Sequence, residues 1–404
     1  MSFFKLVKWI IAMAAIAAVV GSASALFLWS LDAATRQRFE TPWLIFLLPV
    51  IGVAMGFYYR HLGKALNSGN QTILGSVHKE REKVPFSLAP SILIATVVTH
   101  LFGGSAGREG TAVQMGAAVG SSMGKYVTKT QEGMHLLMFC GIAAGFGAVF
   151  GTPFAGAVFA LEFTSHRILS KKLFPCLLIA LAADRVCLEW GIIHTQYPLI
   201  EFETNLKALA TLAWPLLAAT AAFALASRFF VTASHVAARK FTDWFPHEAM
   251  RAGVGGVFIV CLFLFIGTGD YLGLGTLAEN ENSLTLPRFF SSSLEAPPTA
   301  WLWKLAFTVI TLSAGFKGGE VTPLFFIGAA LGNTLAWFFN APVELFAGLG
   351  MIALFASATK TPYASIIMGV ELLGFGILLP LAACTLIATK LSGSKSVYPN
   401  VDEL

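Results

Sequence analysis

The sequence predicts an all-α, polytopic membrane protein whose tilted and broken helices form two inverted-topology repeats. Only 12% of its 404 residues are charged and 56% are hydrophobic, whereas soluble domains carry about 25% charged residues. Apolar stretches recur along the whole chain, but 38 Gly and 17 Pro residues interrupt them, and many are shorter than the ~20 residues of a straight span. Two short motifs also recur in the same order in both halves. This combination is typical of channels and transporters.

The broken stretches indicate a polar pathway inside the bundle, because irregular backbone is tolerated at membrane depth only where it lines a cavity or is buried in protein. We expect them to form one membrane transport domain over residues 1–404, with approximate repeats at 40–200 and 210–392. The apolar stretches are, in order, residues 9–28, 44–58, 88–101, 136–150, 174–183, 208–226, 254–266, 302–314, 324–339, 345–355 and 364–387.

Basic residues predict the orientation of the chain. Lys5 and Lys8 precede the first apolar stretch, which is too long for a typical signal peptide and is soon followed by a second span. We therefore expect a retained helix and a cytoplasmic N-terminus. The basic stretch 60–83 follows two crossings and also fits the cytoplasmic side of an inner membrane. The net charge of +5 arises from such flanks, and no basic block suggests a nucleic-acid partner.

Cysteine and histidine spacing predicts neither a metal site nor a cofactor. The five cysteines are scattered without a CxxC pair, and the eight histidines form no HExxH-type spacing. We therefore expect buried free thiols. His100, which lies near an intramembrane glutamate, is expected to be packed or hydrogen-bonded rather than a ligand.

Two glutamates occupy matching positions in the two halves. Thr-Pro-Phe-Ala at 152–155 is followed by Glu162, and Thr-Pro-Tyr-Ala at 361–364 is followed by Glu371, each Glu ten residues after its Thr. The offset between these motifs is 209 residues. We expect Glu162 and Glu371 to be structural and paired within the bundle.

A second motif repeats at nearly the same offset. Gly-Ala-Ala-Val-Gly at 116–120 recurs as Gly-Ala-Ala-Leu-Gly at 328–332, which is 212 residues later. Chance similarity between Ala- and Gly-rich segments is the alternative to duplication. Two motifs in one order at nearly one offset favour an internal duplication, the usual build of transporters.

Glu109 lies in the Gly-Arg-Glu-Gly-Thr run at 107–111, between two apolar stretches. A carboxylate at membrane depth costs roughly 2.5–3.5 kcal/mol on insertion scales, so it persists mainly where it lines a pathway. The 212-residue offset places Glu109 opposite Val321, within another Gly-rich run at 318–323. Each run leads into an apolar helix, whose N-terminus carries unpaired N–H groups and about half a positive charge. The sequence therefore predicts an anion site between two helix N-termini, with a carboxylate at its edge.

At these residues the chain resembles the CLC family of chloride channels and proton-coupled antiporters. The Gly-Arg-Glu-Gly run is followed by segments 141–163, 315–332 and 361–371 in the family's order, and by a late Tyr398. The resemblance covers nearly the whole chain. It implies the CLC fold with two inverted-topology repeats and a homodimer in the lipid bilayer. No cytoplasmic CBS-type domain is expected, because the chain stops six residues after Tyr398.

Four departures from the chloride-selective members resemble the fluoride/proton antiporter branch. Asn70 stands in the region where those members carry a filter Ser, and Thr111 replaces the proline of their GREGP run. Glu320 is an additional carboxylate in the second anion loop. Phe163 occupies the position of the second, proton-transferring Glu. The resemblance thus implies an exporter of fluoride coupled to inward proton movement. Alternatives are a chloride or nitrate antiporter, or a passive anion channel.

The resemblance also implies roles for particular residues. Glu109 would be the gating and proton-coupling group, since an ionised carboxylate can occupy the anion site and a protonated one can leave it. A glutamate that only satisfies the helix dipole is the alternative. The residues expected to surround the anion are Asn70, Gly107, Arg108, Gly110, Val321, Thr322 and Tyr398.

Three of these assignments leave alternatives open. Asn70 supplies an amide donor group that suits strongly hydrated fluoride, but it is also a plausible turn residue, and Ser68 competes for the filter position. Glu320 and Thr322 would provide a polar route for protons or ions, or else a plain capping arrangement. Tyr398 would close the site from the cytoplasmic side, or else be an interfacial anchor. An intramembrane enzyme that uses Glu109 and Glu162 as paired carboxylates is disfavoured, because no HExxH signature accompanies them.

Overall fold

The structure is a computed structural model that describes residues 3–78, 84–165, 168, 170–202 and 206–398. The basic residues predicted to be cytoplasmic at positions 79–83 lie outside these ranges. Within the described ranges, three short 3-10 helices are found at Pro42–Leu47, Pro287–Phe290 and Phe375–Ile377. The α-helices within the described ranges are α1 Phe3–Glu40, α2 Leu48–Leu62, α3 Lys64–Asn67, α4 Asn70–His78, α5 Leu88–Leu101, α6 Glu109–Val127, α7 Gln131–Phe150, α8 Pro153–Ser165, α9 Leu173–Glu189, α10 Leu206–Trp244, α11 Glu248–Ile266, α12 Ala300–Ser313, α13 Val321–Phe339, α14 Val343–Thr359, α15 Pro362–Leu373 and α16 Leu378–Leu391.

Apolar helices of very different lengths follow one another along this chain. Within the described ranges, six helical segments are long and apolar enough to cross a membrane, and further apolar helices are only 10–17 residues long. A helix of 14 residues such as α5 rises only about 21 Å, less than the ~30 Å hydrocarbon thickness of a bilayer. The prediction of a polytopic membrane protein with broken helices is confirmed.

The two halves repeat the same order of helices. The first residues of α5 and α12, of α6 and α13, and of α7 and α14 all lie 212 positions apart. Helices α6 and α13 are each 19 residues long, and α5 and α12 are each 14 residues long. In both halves the first long helix packs on the next one, α6 on α7 and α13 on α14. The offset read from the Gly-Ala-Ala motifs is therefore the spacing of whole helices.

Glycines at matching positions allow this close helix packing. A Cβ at Gly116 would lie 2.0 Å from the carbonyl oxygen of Gly141, and a Cβ at Gly328 would lie 2.1 Å from that of Gly350. Because real Cβ atoms do not approach a carbonyl oxygen so closely, only glycine fits at either position. The repeated motif thus encodes a backbone-to-backbone contact in each half.

Glu162 and Glu371 join the two halves through reciprocal helix caps. The Glu162 carboxylate accepts the N–H groups of Tyr363 at 3.2 Å and Ala364 at 2.8 Å, at the start of α15. The Glu371 carboxylate accepts the N–H groups of Phe154 at 3.0 Å and Ala155 at 2.8 Å, at the start of α8. Each carboxylate satisfies orphan donors of the other half. This is the structural pairing expected from the sequence.

Candidate functional site: two helix N-termini and a buried carboxylate

Two Gly-rich turns meet back to back in the interior of the molecule. The Gly107 N–H donates to the Gly319 carbonyl at 2.5 Å, and the Gly319 N–H donates to the Gly107 carbonyl at 2.8 Å, as an antiparallel bridge. The first turn leads from α5 into α6, and the second leads from α12 into α13. The bridge therefore holds the N-termini of α6 and α13 side by side.

The close approach of the turns requires glycine. A Cβ on Gly107 would lie 2.8 Å from Oε2 of Glu109 and 2.9 Å from Cδ of Pro323, and a Cβ on Gly319 would lie 2.6 Å from the backbone nitrogen of Gly110. Polar side chains of α12 also support the first turn. Thr311 Oγ1 accepts the Ser105 N–H at 3.0 Å, and the Ser105 and Thr308 hydroxyls are 3.0 Å apart.

The Glu109 carboxylate lies at the N-terminus of the helix from the other half. Oε2 accepts the N–H of Arg108 at 3.0 Å and the N–H of Thr322 at 3.1 Å. Oε1 accepts the Thr322 hydroxyl. The residue is fully buried. The side chain thus accepts hydrogen bonds from the first turn of α13. It does more than interact with the dipole of its own helix, α6.

Arg108 lies between this carboxylate and a cavity. Its Nε atom lies 3.5 Å from Oε1 of Glu109, and its Nη2 atom donates to Oγ1 of Thr195 at 3.4 Å. A cavity of about 300 Å³ begins beside Arg108. Its lining includes Asp32 of α1 and the loop residues Thr195 and Gln196. A small ion therefore has space to reach the guanidinium from the side where the C-terminal half of α1 lies.

Asn70 begins α4 and faces α6 without contacting the carboxylate. Its Oδ1 atom is buried and has no hydrogen-bond partner within the described ranges, and the same is true of Oε1 of Gln114. A Cβ on the neighbouring Gly69 would lie 2.9 Å from that Gln114 oxygen. Ser68 lies in the preceding turn, where its carbonyl accepts the Gln71 N–H at 3.0 Å. No hydrogen bond joins Asn70 to Glu109 in the part of the chain that is described.

Lys317 ties this turn to the second Gly-rich turn. Its ammonium donates to the carbonyl oxygen of Asn67 at 3.0 Å and to its Oδ1 at 2.7 Å, and lies 4.3 Å from the centre of the Tyr59 ring. Asn67 in turn donates to Glu248 at 2.7 Å. Sequence reasoning missed Lys317. The available signal was a single cation in the long stretch between Lys304 and Lys360.

Glu320 precedes α13 but makes no capping bond to it. Its side chain forms no hydrogen bond to the helix N-terminus; instead it is hydrogen-bonded to the hydroxyl of Tyr398. Its Oε1 atom is buried and unpartnered among the described residues, and a Cβ on Gly110 would lie 3.8 Å from its Oε2. The plain capping arrangement is therefore not what the structure has. Tyr398 packs against the hydrophobic core. An interfacial anchor would instead lie at the membrane boundary.

Aromatic rings surround Phe163, which stands where the resemblance places the proton-transferring glutamate of the chloride antiporters. The Phe163 ring packs edge-on against Tyr398, with centroids 4.8 Å apart, and stacks on Phe159 at 5.3 Å. Phe159 continues to Phe146 at 4.4 Å. This row supplies no group that binds a proton. Polar chemistry on this side of the site therefore rests on Glu320 and the Tyr398 hydroxyl.

The predicted residues separate into two groups. One group surrounds the bridge between the turns; its members are Gly107, Arg108, Glu109, Gly110, Glu320, Val321, Thr322 and Tyr398. The other is Asn70, which lies beside Gln114 on the flank of α6. The Lys360 ammonium donates to the Ser392 hydroxyl at 2.6 Å and to the Thr389 carbonyl oxygen at 3.2 Å.

Comparison with known proteins places this geometry in a family. The sequence profile of the voltage gated chloride channel family matches residues 51–393. The chain is 41% identical over 397 residues to a chloride/fluoride channel protein of Pseudomonas syringae pv. tomato, and the match covers 97% of this chain and 85% of that protein. It is 28% identical over 316 residues to the voltage-gated ClC-type chloride channel ClcB of Escherichia coli, covering 74% of this chain and 71% of that protein.

Solved structures give the same result. A crystal structure of a CLC-type fluoride/proton antiporter matches with a TM-score of 0.89 at 32% identity, covering 99% of this chain and 98% of the other. A slow cyanobacterial Cl⁻/H⁺ antiporter matches with a TM-score of 0.79 at 19% identity, covering 95% and 94% of the two chains. The second likeness shows the fold alone.

Proposed function

This chain belongs to the voltage gated chloride channel (CLC) family, and on that basis we propose that it is a fluoride/proton antiporter that exports F⁻ from the cytoplasm in exchange for inward H⁺. The observation that carries the proposal is the position of the Glu109 carboxylate. It accepts the Arg108 and Thr322 N–H groups, which are the donors an anion would need. The relative and the solved structure named for fluoride support the choice of ion.

Exchange follows from competition for these donors. While Glu109 is ionised, its two oxygens hold the N–H groups and the Thr322 hydroxyl, and an anion is excluded. When Glu109 takes up a proton it loses its charge, so it no longer competes with a full anion. The carboxyl can then leave and an anion can bind. Proton release on the other side returns the carboxylate to the site and expels the anion, which couples the two fluxes in opposite directions.

Selectivity for fluoride rests on donor strength in this proposal. Fluoride is small and strongly hydrated, so its lost water must be replaced by good hydrogen-bond donors. The amide groups of Asn70 and Gln114 each have a buried oxygen without a hydrogen-bond partner within the described ranges, and a half turn about the terminal bond of an amide exchanges its oxygen and nitrogen. With both amides turned in this way, their N–H₂ groups would be offered to a passing fluoride ion.

The inner proton route is assigned to Glu320 and Tyr398. The Tyr398 hydroxyl is bonded to the Glu320 carboxylate, and Glu320 belongs to the turn that also carries Thr322. Phe163 cannot bind a proton. A proton that leaves Glu109 toward the cytoplasm can therefore next bind to the Glu320 carboxylate, whose charge interacts with that of Glu109.

The proposal extends to the assembly and its placement. It treats the chain as one transport domain with repeats near 40–200 and 210–392, an N-terminus in the cytoplasm of a bacterial cell, and a homodimer. We place the dimer contact on α8, α9, α15 and α16, which pack against one another in turn and expose large apolar side chains. They include Phe154, Phe174, Leu178, Tyr363 and Leu379. The function is transport of fluoride and protons rather than enzymatic turnover, and it involves no cofactor.

We expect Glu109→Gln to abolish proton coupling, because an amide neither gains nor loses a proton under these conditions. Purified protein in liposomes, with fluoride, chloride and proton fluxes recorded together, provides the measurement. Fluoride-driven proton movement should fall to the level of protein-free liposomes. Undiminished proton pumping by the variant would remove Glu109 as the coupling carboxylate. A parental protein that moves anions without protons would instead indicate a passive channel.

Asn70→Ser should reduce the preference for fluoride over chloride. The hydroxyl supplies one donor where the amide supplies two, and a hydrogen bond contributes about 0.5–1.5 kcal/mol, so a two- to tenfold loss in the flux ratio is expected. Ser68→Ala is the matched control in the preceding turn. A ratio that changes in the Ser68 variant and stays constant in the Asn70 variant would assign the filter to Ser68.

Replacing Glu320 by Ala should slow fluoride turnover by about 100-fold or more, since a positioned proton acceptor is lost. Thr322→Ala should be less severe, because the Thr322 N–H still reaches Glu109. Both proteins should elute as the parental protein does in size-exclusion chromatography. A Glu320→Ala protein that elutes normally and transports at the parental rate would exclude Glu320 from the proton route.

A further inference from the structure

The Lys317 ammonium joins two segments that lie 250 positions apart in the chain. It donates to both oxygens of Asn67, the backbone carbonyl at 3.0 Å and Oδ1 at 2.7 Å. The centre of the Tyr59 ring lies 4.3 Å from the ammonium, close enough for the face of the ring to attract a cation. Two directed hydrogen bonds and a ring contact hold this side chain in one place.

The orientation of the Asn67 amide is fixed by two charges of opposite sign. Its Oδ1 atom accepts from the Lys317 cation, and its Nδ2 atom donates to Oε1 of Glu248 at 2.7 Å, at the start of α11. Exchanging the amide oxygen and nitrogen would turn N–H groups toward an ammonium and an oxygen toward a carboxylate, which disfavours a flip. Asn67 therefore makes charge-assisted hydrogen bonds on both sides, and these are stronger than neutral ones.

Asn67 in turn determines where α4 begins. Asn70, the first residue of α4, follows Asn67 by only three positions. Between them, Gly69 has a left-handed backbone with φ of 49°, and a Cβ there would lie 2.9 Å from Oε1 of Gln114 on α6. This short turn thus meets α6 through Gly69 and the second Gly-rich turn through Asn67. Because so few residues separate them, a displacement of Asn67 moves Asn70.

Lys317 is itself held close to the anion site by the bridge between the turns. Gly319, two residues further along the chain, exchanges hydrogen bonds with Gly107. A Cβ on Gly319 would lie 2.6 Å from the backbone nitrogen of Gly110, so the second turn is packed directly on the turn that presents Glu109. The Lys317 ammonium therefore sets the position of residues 67–70 relative to the Glu109 turn.

We propose that Lys317 is a specificity-determining positioning residue, whose ammonium holds residues 67–70, and with them the Asn70 amide, in a fixed place beside the anion site. The inference rests on the proposed function, in which amide donors on the flank of α6 favour fluoride, and it adds the group that fixes their place. Hydrogen bonds weaken steeply with poor distance or angle. A displaced amide therefore costs most for the ion that depends most on strong donors, which is the small and strongly hydrated fluoride ion.

Fluoride and chloride fluxes in liposomes test the effect on selectivity. Lys317→Met keeps an unbranched side chain and removes the donor, so it should lower the fluoride-to-chloride flux ratio by about two- to tenfold, with proton coupling through Glu109 retained. Asn67→Ala loses one of the two acceptor oxygens and should have a smaller effect in the same direction. Lys240→Met is the matched control, since Lys240 is exposed and also lies over a ring, that of Trp244 at 5.6 Å. It should keep the parental ratio.

Two further measurements separate positioning from a general loss of stability. In an Asn70→Ser background, Lys317→Met should change the flux ratio by less than about twofold, because both substitutions act through the same amide. Amide hydrogen exchange of the purified protein should become faster at the start of α4, where the N–H groups of Gln71 and Thr72 bond to the preceding turn, because that turn opens more often without its tie. The Lys240→Met protein should show the parental exchange rates.

Each measurement can overturn the proposal. It fails if a folded Lys317→Met protein keeps the parental flux ratio, if the effect persists in full in the Asn70→Ser background, or if hydrogen exchange at α4 is unchanged. Asn67→Ala carries the same comparisons if Lys317→Met does not fold. Faster hydrogen exchange in a protein that does not couple fluoride to protons would refute the transport function and leave the positioning role in place. Coupled fluoride transport with a parental flux ratio in Lys317→Met would refute this inference alone.

Discussion

The structure depends on a buried carboxylate held by the N-terminus of a helix from the other half of the chain. An ionised Glu109 in an apolar interior is tolerated because backbone N–H groups and the Thr322 hydroxyl replace its lost water. These donors exist only where helices begin. The chain must therefore break its helices inside the membrane, and it does so at the two Gly-rich turns. Short helices, turn glycines and the buried charge are consequences of one requirement.

The internal duplication supplies the second helix N-terminus, because the second half of the chain repeats the helices of the first. Each half builds the same order of helices, and the inverted arrangement brings α6 and α13 together at the Gly107–Gly319 bridge. The same symmetry is used for stability elsewhere, where Glu162 and Glu371 cap each other's helices. The chain thus places carboxylates at helix N-termini in two kinds of surroundings. Glu162 and Glu371 each bond a fixed pair of N–H groups, whereas Glu109 lies beside Arg108, whose side chain lines a cavity.

Much of this arrangement was predictable because it is periodic in the sequence. The 212-residue offset gave the pairing of Glu109 with Val321, and composition gave the broken helices. The contacts that sequence reasoning missed are those between segments with no shared pattern. Lys317 meets Asn67 across 250 residues, and Tyr398 meets Glu320 only because the C-terminal segment folds back. Asn70 was singled out by resemblance, but the approach of its segment to Gln114 was not foreseen, because a glutamine on an apolar helix gives no periodic signal.

Equilibrium fluoride binding to Glu109→Ala is the most direct test of the competition between carboxylate and anion. Calorimetric titration at one neutral pH would compare this variant with the parental protein in the same detergent. The account predicts tighter binding in the variant, by about tenfold or 1.4 kcal/mol, because the N–H groups of Arg108 and Thr322 no longer have to be taken from a carboxylate. Equal or weaker fluoride binding by a correctly folded Glu109→Ala protein would contradict it.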